Sequence, residues 1–245
     1  MSDVLILGNW KMNGSLADNQ ALLNDLSAVD IPASVEVGIC APYVYFSQLQ
    51  TLLKSSQISL GSQDISVHLK GAYTGEIAGS MLQEFDCQYV IVGHSERREY
   101  HGESNSLVAQ KALAALQHGM TPIICVGETL EQRKAERTLD VIQEQLAAIK
   151  TVLSDNELAK CVIAYEPVWA IGTGLTATPD QAQEVHVFIR QQLGEHADSI
   201  KILYGGSVSS SNAKKLFEQA DINGGLVGGA SLKIADFTSI IQQGN

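Results

Sequence analysis

Eight short apolar runs, each about as long as a β-strand, recur along the whole of this chain. They are rich in Val and Ile, and most lack the alternation of apolar and polar residues that a half-exposed strand requires. Such runs are typical of parallel strands buried on both faces. The runs span residues 4–9, 35–41, 57–63, 87–93, 121–126, 160–166, 200–205 and 222–228.

Helical patterns separate these runs. The clearest is an apolar stripe at alternating spacings of three and four residues, which places its members on one face of a helix. The stripe consists of Leu139, Ile142, Leu146, Ile149 and Leu153. A helix start is predicted at Thr178, where a capping Thr precedes Pro179 and Gln181 follows three residues later. Eight successive βα units predict an α/β fold, a closed (βα)8 barrel of parallel strands surrounded by helices.

An open, doubly wound sheet is the structural alternative. Its dinucleotide-binding form carries a GxGxxG fingerprint after the first strand, but this chain reads GNWKMNG over residues 8–14. A closed barrel commonly uses about 250 residues as one domain, and no linker or low-complexity tract interrupts the chain. We therefore expect residues 1–245 to form a single catalytic domain.

Charge and cysteine content exclude several classes of function. The chain has 16 Lys and Arg residues and 27 Asp and Glu residues, which gives a net charge of −11. The basic residues form no stripe, so we expect no nucleic-acid partner. No apolar run is long enough for a signal or membrane segment, which predicts a cytoplasmic protein. The cysteines lack metal-ligand spacing and are expected to be reduced core thiols. They are Cys40, Cys87, Cys125 and Cys161.

Three chemically active side chains follow predicted strands, at the barrel end where catalysis is expected. Lys11 follows the first strand closely, although a merely solvated Lys would show the same pattern. His94 follows the fourth strand where a helix begins, which would lower its pKa and keep it neutral; a capping or packing His is the alternative. Glu166 adjoins a fully apolar strand, where an acid is costly unless it is used.

The segment after Glu166 is apolar at its tip and bracketed by Pro167 and glycines. A loop that closes over a ligand explains this composition, because its apolar residues then pack in the closed state and exclude water. A loop packed permanently on the body is the alternative. Glycine pairs at 205–206 and 228–229 follow the seventh and eighth strands, the usual phosphate-binding place in a (βα)8 barrel.

Five segments together resemble the signature sequences of the triosephosphate isomerase family, in the family's order. They are residues 9–13 (NWKMN), 92–98 (VGHSERR), 164–174 (AYEPVWAIGTG), 204–208 (YGGSV) and 227–231 (VGGAS). The resemblance implies a TIM barrel that interconverts dihydroxyacetone phosphate and D-glyceraldehyde 3-phosphate in glycolysis and gluconeogenesis. It also implies a cytoplasmic homodimer without metal or cofactor.

The resemblance further assigns roles to residues. It implies that Glu166 moves the proton and that His94, Lys11 and Asn9 stabilise an enediolate, supported by Ser95 and Glu96. The implied phosphate-binding residues are Gly172, Ser207, Gly228 and Gly229. The implied lid loop comprises Pro167, Val168, Trp169, Ala170, Ile171, Gly172, Thr173, Gly174, Leu175, Thr176 and Ala177.

The chain departs from the family pattern at three places. Leu175 stands where the lid more often has Lys, Gly79-Ser80 stands where a Pro is often seen, and Gly225 stands where a larger residue is common. We expect Leu175 to affect lid kinetics. The other two positions should affect stability more than chemistry.

Assembly and two other functions are further expectations. The segment from Asp64 to Glu76 is long for a βα loop and carries bulky residues, so we expect it to dock into a partner subunit. The family resemblance implies that it reaches a pocket near Lys11 and Asn13. One alternative function is an aldolase that uses Lys11 as a Schiff-base nucleophile. The other is a catalytically silent phosphate-binding protein.

Overall fold

Eight parallel strands form a closed barrel in the computed structural model, which describes residues 4–171 and 176–245. Each strand pairs with the next one in sequence, and the first also pairs with the eighth, which closes the barrel. The strands are β1 (Val4–Asn9), β2 (Val35–Ala41), β3 (Ile58–Ser62), β4 (Tyr89–Val92), β5 (Thr121–Val126), β6 (Val162–Tyr165), β7 (Ile202–Tyr204) and β8 (Gly224–Val227).

Helices surround this barrel. They are α1 (Leu16–Ser27), α2 (Phe46–Leu53), α3 (Gly79–Gln83), α4 (Ser95–His101), α5 (Asn105–Gln117), α6 (Leu130–Lys134), α7 (Thr138–Lys150), α8 (Asp155–Leu158), α9 (Pro179–Gln192), α10 (Ala213–Phe217) and α11 (Ile234–Gln242). Short 3-10 turns occupy Tyr43–Tyr45, Val168–Ala170, Gly194–Ser199 and Gly229–Leu232.

The predicted barrel and all eight strands are confirmed, and the open sheet is excluded by the closure between β1 and β8. The later strands are shorter than their apolar runs; β7, for example, covers only Ile202–Tyr204. The predicted start of α9 is also confirmed: Thr178 Oγ1 accepts from Gln181 N at 3.2 Å, and Gln181 Oε1 accepts from Thr178 N at 3.0 Å.

The predicted apolar stripe of α7 is wrong at its first member. Leu139 is 37% exposed, whereas Val141 and Ile142 are buried one turn into the helix. Leu153 is buried as predicted but follows the end of the helix. The buried residues of α7 are those on the face that packs against the barrel. The spacing of apolar residues predicts that face but not the turn at which burial begins.

The core has two layers, and these explain why the strands lack alternation. Successive side chains of a strand point to opposite faces, so Leu5 and Leu7 pack inside the barrel while Ile6 packs outward against the helices. Both environments are apolar. Strands buried on both sides therefore read as continuous apolar runs.

The four cysteines are buried and unpaired, as predicted. No helix in the described part of the chain is long and apolar enough to cross a membrane. Within residues 4–171 and 176–245, no group of three or more His, Cys, Asp or Glu side chains is arranged to hold a metal ion.

Candidate active site

A cavity of about 300 Å3 lies at the carboxyl end of the barrel. The four predicted catalytic residues meet there with three of the four predicted phosphate-binding residues. These seven are Asn9, Lys11, His94, Glu166, Ser207, Gly228 and Gly229. Gly172, the fourth, lies outside the described residues. A larger cavity, of about 640 Å3, lies beside α2 and β3 and contains none of these groups.

Glu166 follows β6 directly and is 2% exposed. Its Oε1 lies 2.9 Å from His94 Nε2, and its Oε2 accepts the backbone N–H of Ser95 at 2.9 Å. Burial raises the pKa of this carboxyl, but the His94 side chain, the Ser95 amide and the more distant Lys11 lower it, and the net pKa lies below its usual value. Glu166 is therefore a buried carboxylate held in its charged form.

A helix, α4, begins directly after His94, as the sequence predicts, and His94 is its N-cap residue. Its Nδ1 accepts the backbone N–H of Glu96 at 3.2 Å, so the neutral imidazole carries its proton on Nε2 and can donate it to Glu166. Burial lowers the pKa of His94, but the carboxylates of Glu166 and Glu96 raise it, and the net pKa lies above its usual value. The expected lowering by the helix terminus is thus wrong for this arrangement, because the Glu166 carboxylate outweighs it.

Lys11 has a left-handed backbone, with a φ of 52°, which is strained for a residue other than glycine. The side-chain oxygen of Asn9 accepts the backbone N–H of Lys11 at 3.0 Å. The ammonium group lies 2.5 Å from Glu96 Oε1. These contacts hold the turn and direct the cation to the cavity that His94 and Glu166 also line.

Gln63 is a supporting residue that the sequence analysis missed. Its amide donates to the backbone oxygens of Lys11 at 2.9 Å and Cys40 at 3.1 Å, and lies 3.4 Å from Asn9 Oδ1. It thereby ties the ends of β1, β2 and β3 together beneath Lys11. Gln63 is the last residue of the predicted run 57–63, whereas β3 ends at Ser62, so a polar residue at the end of an apolar run is the signal that could have found it.

The loops after β7 and β8 form the part of the cavity wall that adjoins Glu166 on one side and Lys11 on the other. A Cβ atom added at Gly228 would come no nearer to another group than 3.7 Å, from Lys11 Cε, and one added at Gly229 would have no neighbour within 4 Å. Packing therefore does not require glycine at these two positions. Both glycines line the cavity, and the lack of a side chain lets an anion approach their backbone closely.

The start of the predicted lid packs on the barrel. Val168 N donates to Glu128 O at 3.1 Å, and the indole N–H of Trp169 donates to Glu128 Oε1 at 2.9 Å. Ala170 is fully buried, and Ile171 lines the cavity. The predicted lid residues 172–175, which include the unusual Leu175, lie outside the described residues.

The family model for triosephosphate isomerase matches residues 4–244. Curated triosephosphate isomerases are similar over nearly their full length. The protein from Herminiimonas arsenicoxydans is 55% identical over 242 residues, with 97% of this chain and 98% of the relative covered. That from Albidiferax ferrireducens is 57% identical over 245 residues, with 98% of each covered.

The chain belongs to the triosephosphate isomerase family. It is an enzyme, an aldose–ketose isomerase acting on a triose phosphate, as the family and its relatives support. The aldolase and the silent binding protein are not favoured. The match covers the whole barrel, because the matched residues run from the start of β1 to beyond the end of α11.

One of the departures from the triosephosphate isomerase pattern, at Gly79, is explained in part by its neighbours, and the departure at Gly225 is not. A Cβ atom added at Gly79 would lie 2.5 Å from the His118 ring, so a side chain there requires that ring to move. At Gly225 an added Cβ would meet Phe217 at an ordinary contact distance of 3.5 Å. A small residue is therefore needed at Gly79 but not at Gly225.

Proposed function

We propose that Glu166 is the base that interconverts dihydroxyacetone phosphate and D-glyceraldehyde 3-phosphate through an enediolate. The observation that carries this proposal is the contact between the buried Glu166 carboxylate and His94 Nε2, in the cavity that Lys11 also lines. Glu166 removes a proton from the carbon beside the carbonyl and returns it to the neighbouring carbon. The negative charge that develops on oxygen lies between His94 and Lys11.

This role requires the Glu166 carboxylate to turn from its present partners towards the substrate. Turning releases the His94 Nε2–H, which then donates to a substrate oxygen, assisted by the ammonium of Lys11 and the amide of Asn9. Ser95 holds the carboxylate before it turns, and Glu96 holds Lys11 and the Nδ1 side of His94. No step in this sequence needs a metal or a cofactor.

The phosphate group of the substrate is proposed to bind at Ser207, Gly228 and Gly229, and at Gly172 from the lid. The space beside the two glycines that line the cavity supports this assignment. The dianion then lies against fixed N–H groups while the carbonyl end faces Glu166. Residues 167–177 close over it and exclude water.

We also propose a cytoplasmic homodimer built from one catalytic domain per chain. Large apolar side chains are exposed on the 64–76 loop and on the segments that follow β1, β2 and β4, as an unpaired subunit interface would leave them. They include Met12, Val44, Leu69, Tyr73 and Tyr100. A second cavity of about 410 Å3, lined by Lys11, Met12, Glu96 and Tyr100, is the proposed receptor for the partner's loop.

The function is tested with purified protein and D-glyceraldehyde 3-phosphate, in the presence of a chelator and without added cofactor. Dihydroxyacetone phosphate should appear, and the Glu166→Gln variant should form it far more slowly. A well-folded protein that forms none of this product would refute the proposed reaction. A Glu166→Gln variant with wild-type activity would refute the role of Glu166.

The lid role is tested by deleting residues 170–174 and measuring both isomerised product and free inorganic phosphate. An enediolate eliminates phosphate when the C–O bond stands perpendicular to its plane, and the closed lid should hold that bond in the plane. The deletion should therefore lower turnover roughly 10²- to 10³-fold and raise the ratio of phosphate to product. An unchanged ratio in a folded deletion variant would show that the lid does not protect the intermediate.

The dimer is tested by substituting an exposed residue of the docking loop. Tyr73→Asp places a charge on a side chain that is 44% exposed in the isolated subunit. Light scattering should show monomers, and activity should fall because the cavity beside Lys11 loses its partner. A fully active monomer would contradict this proposal.

A further inference from the structure

The side chain of Gln145 binds both backbone polar groups of a single residue, Gly127. Its Oε1 accepts the Gly127 N–H at 2.8 Å, and its Nε2 donates to the Gly127 carbonyl oxygen at 3.0 Å. Gln145 projects from α7 and is only 8% exposed. The amide side chain thus pairs with Gly127 as a neighbouring strand would, at the point just beyond the end of β5.

The other side of Gly127 lies against Glu166. A Cβ atom added at Gly127 would stand 1.8 Å from the backbone oxygen of Glu166 and 3.3 Å from its Cα. No side chain fits between these two backbones. The position of the Gly127 peptide therefore limits where the backbone of Glu166 can lie.

Two backbone hydrogen bonds join the residues that flank Gly127 to Glu166 and to the start of the predicted lid. Glu166 N donates to Val126 O at 2.7 Å, and Val168 N donates to Glu128 O at 3.1 Å. The segment 126–128 is therefore hydrogen-bonded to the backbone of Glu166 and to that of Val168, at the start of the predicted lid. Gln145 fixes the middle of this segment from the helix side.

We propose that Gln145 is a positioning residue for the isomerase reaction, acting on Glu166 through the Gly127 peptide. This inference rests on the proposed role of Glu166 as the base. Loss of the amide removes the partners of the Gly127 N–H and C=O, and the segment relaxes to satisfy these two groups elsewhere. Glu166 then moves with the segment, and a shift of the reacting group by about 1 Å costs as much as 10²-fold in rate.

The first test is Gln145→Leu, which keeps much of the side-chain volume but removes both hydrogen bonds. We expect kcat to fall roughly 10- to 100-fold. The KM for D-glyceraldehyde 3-phosphate should stay within about twofold, because the proposed phosphate-binding residues Ser207, Gly228 and Gly229 belong to the loops after β7 and β8 and not to the 126–128 segment. A role in stability alone would lower the melting temperature without this selective loss of kcat.

A matched control is Gln183→Leu. Gln183 projects from α9, and its amide also makes two hydrogen bonds to one residue, from Nε2 to Asp221 Oδ2 at 2.6 Å and from Asp221 N to Oε1 at 3.1 Å. Asp221 precedes β8 and so lies at the opposite end of the barrel from the cavity. This variant should lose stability but keep kcat.

The second test is Gln145→Glu, which also serves if the Leu variant does not fold. The introduced carboxylate can accept from Gly127 N but repels Gly127 O, whereas the protonated carboxyl can also donate to that oxygen. The groups sharing its cavity are Arg98, Glu99, Cys125 and Glu166. The ratio of variant to wild-type kcat should therefore rise as the pH falls from about 9 to about 6, and the ratio for Gln145→Leu should stay constant.

The outcomes separate this inference from the function on which it rests. The positioning role is overturned if Gln145→Leu has the kcat of the wild type, or if the ratio of Gln145→Glu to wild-type kcat does not change with pH. In either case, an inactive Glu166→Gln variant leaves the isomerase mechanism intact. Full activity of Glu166→Gln overturns both. Equal losses of kcat in Gln145→Leu and Gln183→Leu would show a general effect of weakened packing and would also overturn the inference.

Discussion

Two buried carboxylates follow adjacent strands of the barrel, and their surroundings differ. Glu128, after β5, is fully buried and binds the Tyr165 hydroxyl, the Trp169 indole and Arg133. Glu166, after β6, contacts the His94 ring and the Ser95 amide and lines the cavity. One carboxylate is surrounded by donors that belong to the fold, and the other adjoins the space where a substrate fits.

The difference teaches that a buried acid is not by itself evidence of catalysis. Burial of a charge is costly unless it is paired, and Glu128 meets that requirement with a cation and two neutral donors. Its donors connect β6 and the lid start to the 126–128 segment. Glu166 has fewer fixed donors, and one of them, His94, is itself a group that can serve the substrate.

The largest expected effect is the difference in kcat between the same isosteric substitution, Glu to Gln, at position 166 and at position 128. Glu166→Gln should lower kcat roughly 10²- to 10⁴-fold, because the amide cannot take up a proton. Glu128→Gln keeps an oxygen that accepts from Tyr165 or Trp169, and should lower kcat less than about tenfold. Steady-state kinetics of both variants measure this. Similar losses of kcat in the two variants would contradict the distinction between a catalytic Glu166 and a structural Glu128.

The second comparison concerns stability, where the order should reverse. Glu128→Gln removes the charge that pairs with Arg133, so the free energy of unfolding should fall by about 1 to 3 kcal/mol. Glu166→Gln removes a buried charge from a site with fewer donors among the described residues and should cost less. Urea unfolding at fixed protein concentration decides between these outcomes. A greater loss in Glu166→Gln would contradict the assignment.

A smaller effect is expected when one donor to Glu128 is removed. Tyr165→Phe deletes the hydroxyl that lies 3.1 Å from both oxygens of Glu128, while the ring keeps its edge contacts with His186 and Tyr204. The free energy of unfolding should fall by about 1 kcal/mol. Thermal and urea unfolding measure the change. A loss of kcat comparable to that of Glu166→Gln would instead implicate the Glu128 site in chemistry.

The smallest effect is the pH dependence of the His94–Glu166 pair. The pKa of His94 is raised, so its contribution is fully present below about pH 6.5 and is lost as the pH rises through the folded pKa. The pKa of Glu166 is lowered, so its contribution is present above about pH 4.5 and is lost as the pH falls through the folded pKa. Stability from the pair should therefore be greatest between these values.

His94→Gln provides the measurement. The difference in the free energy of unfolding between wild type and this variant should be greatest near about pH 5.5 and should shrink towards about pH 9, by on the order of 1 kcal/mol per unit of pKa shift. The corresponding difference for Tyr165→Phe should stay nearly constant over that range. If the difference in the free energy of unfolding for His94→Gln instead grows towards high pH, the pKa of His94 is not raised by Glu166.

Strand-end reasoning predicted much of the site but not its supporting contacts. His94 and Glu166 stand out because a charged or polar group follows an apolar strand, a local signal. Gln63 bonds Lys11 from 52 residues away, and Gln145 bonds Gly127 from 18 residues away. A glutamine on a helix face looks like any other exposed polar residue until the neighbouring backbone is known.

The sequence by itself determined the barrel, because continuous apolar runs and intervening helical stripes leave few other ways to bury both sets of side chains. It also determined which residues lie at the carboxyl ends of the strands. Only the tertiary structure decided which buried acid, Glu128 or Glu166, is enclosed by structural donors and that the pKa of His94 rises. These properties depend on distances of a few ångströms between groups far apart in the chain, and no local pattern specifies such distances.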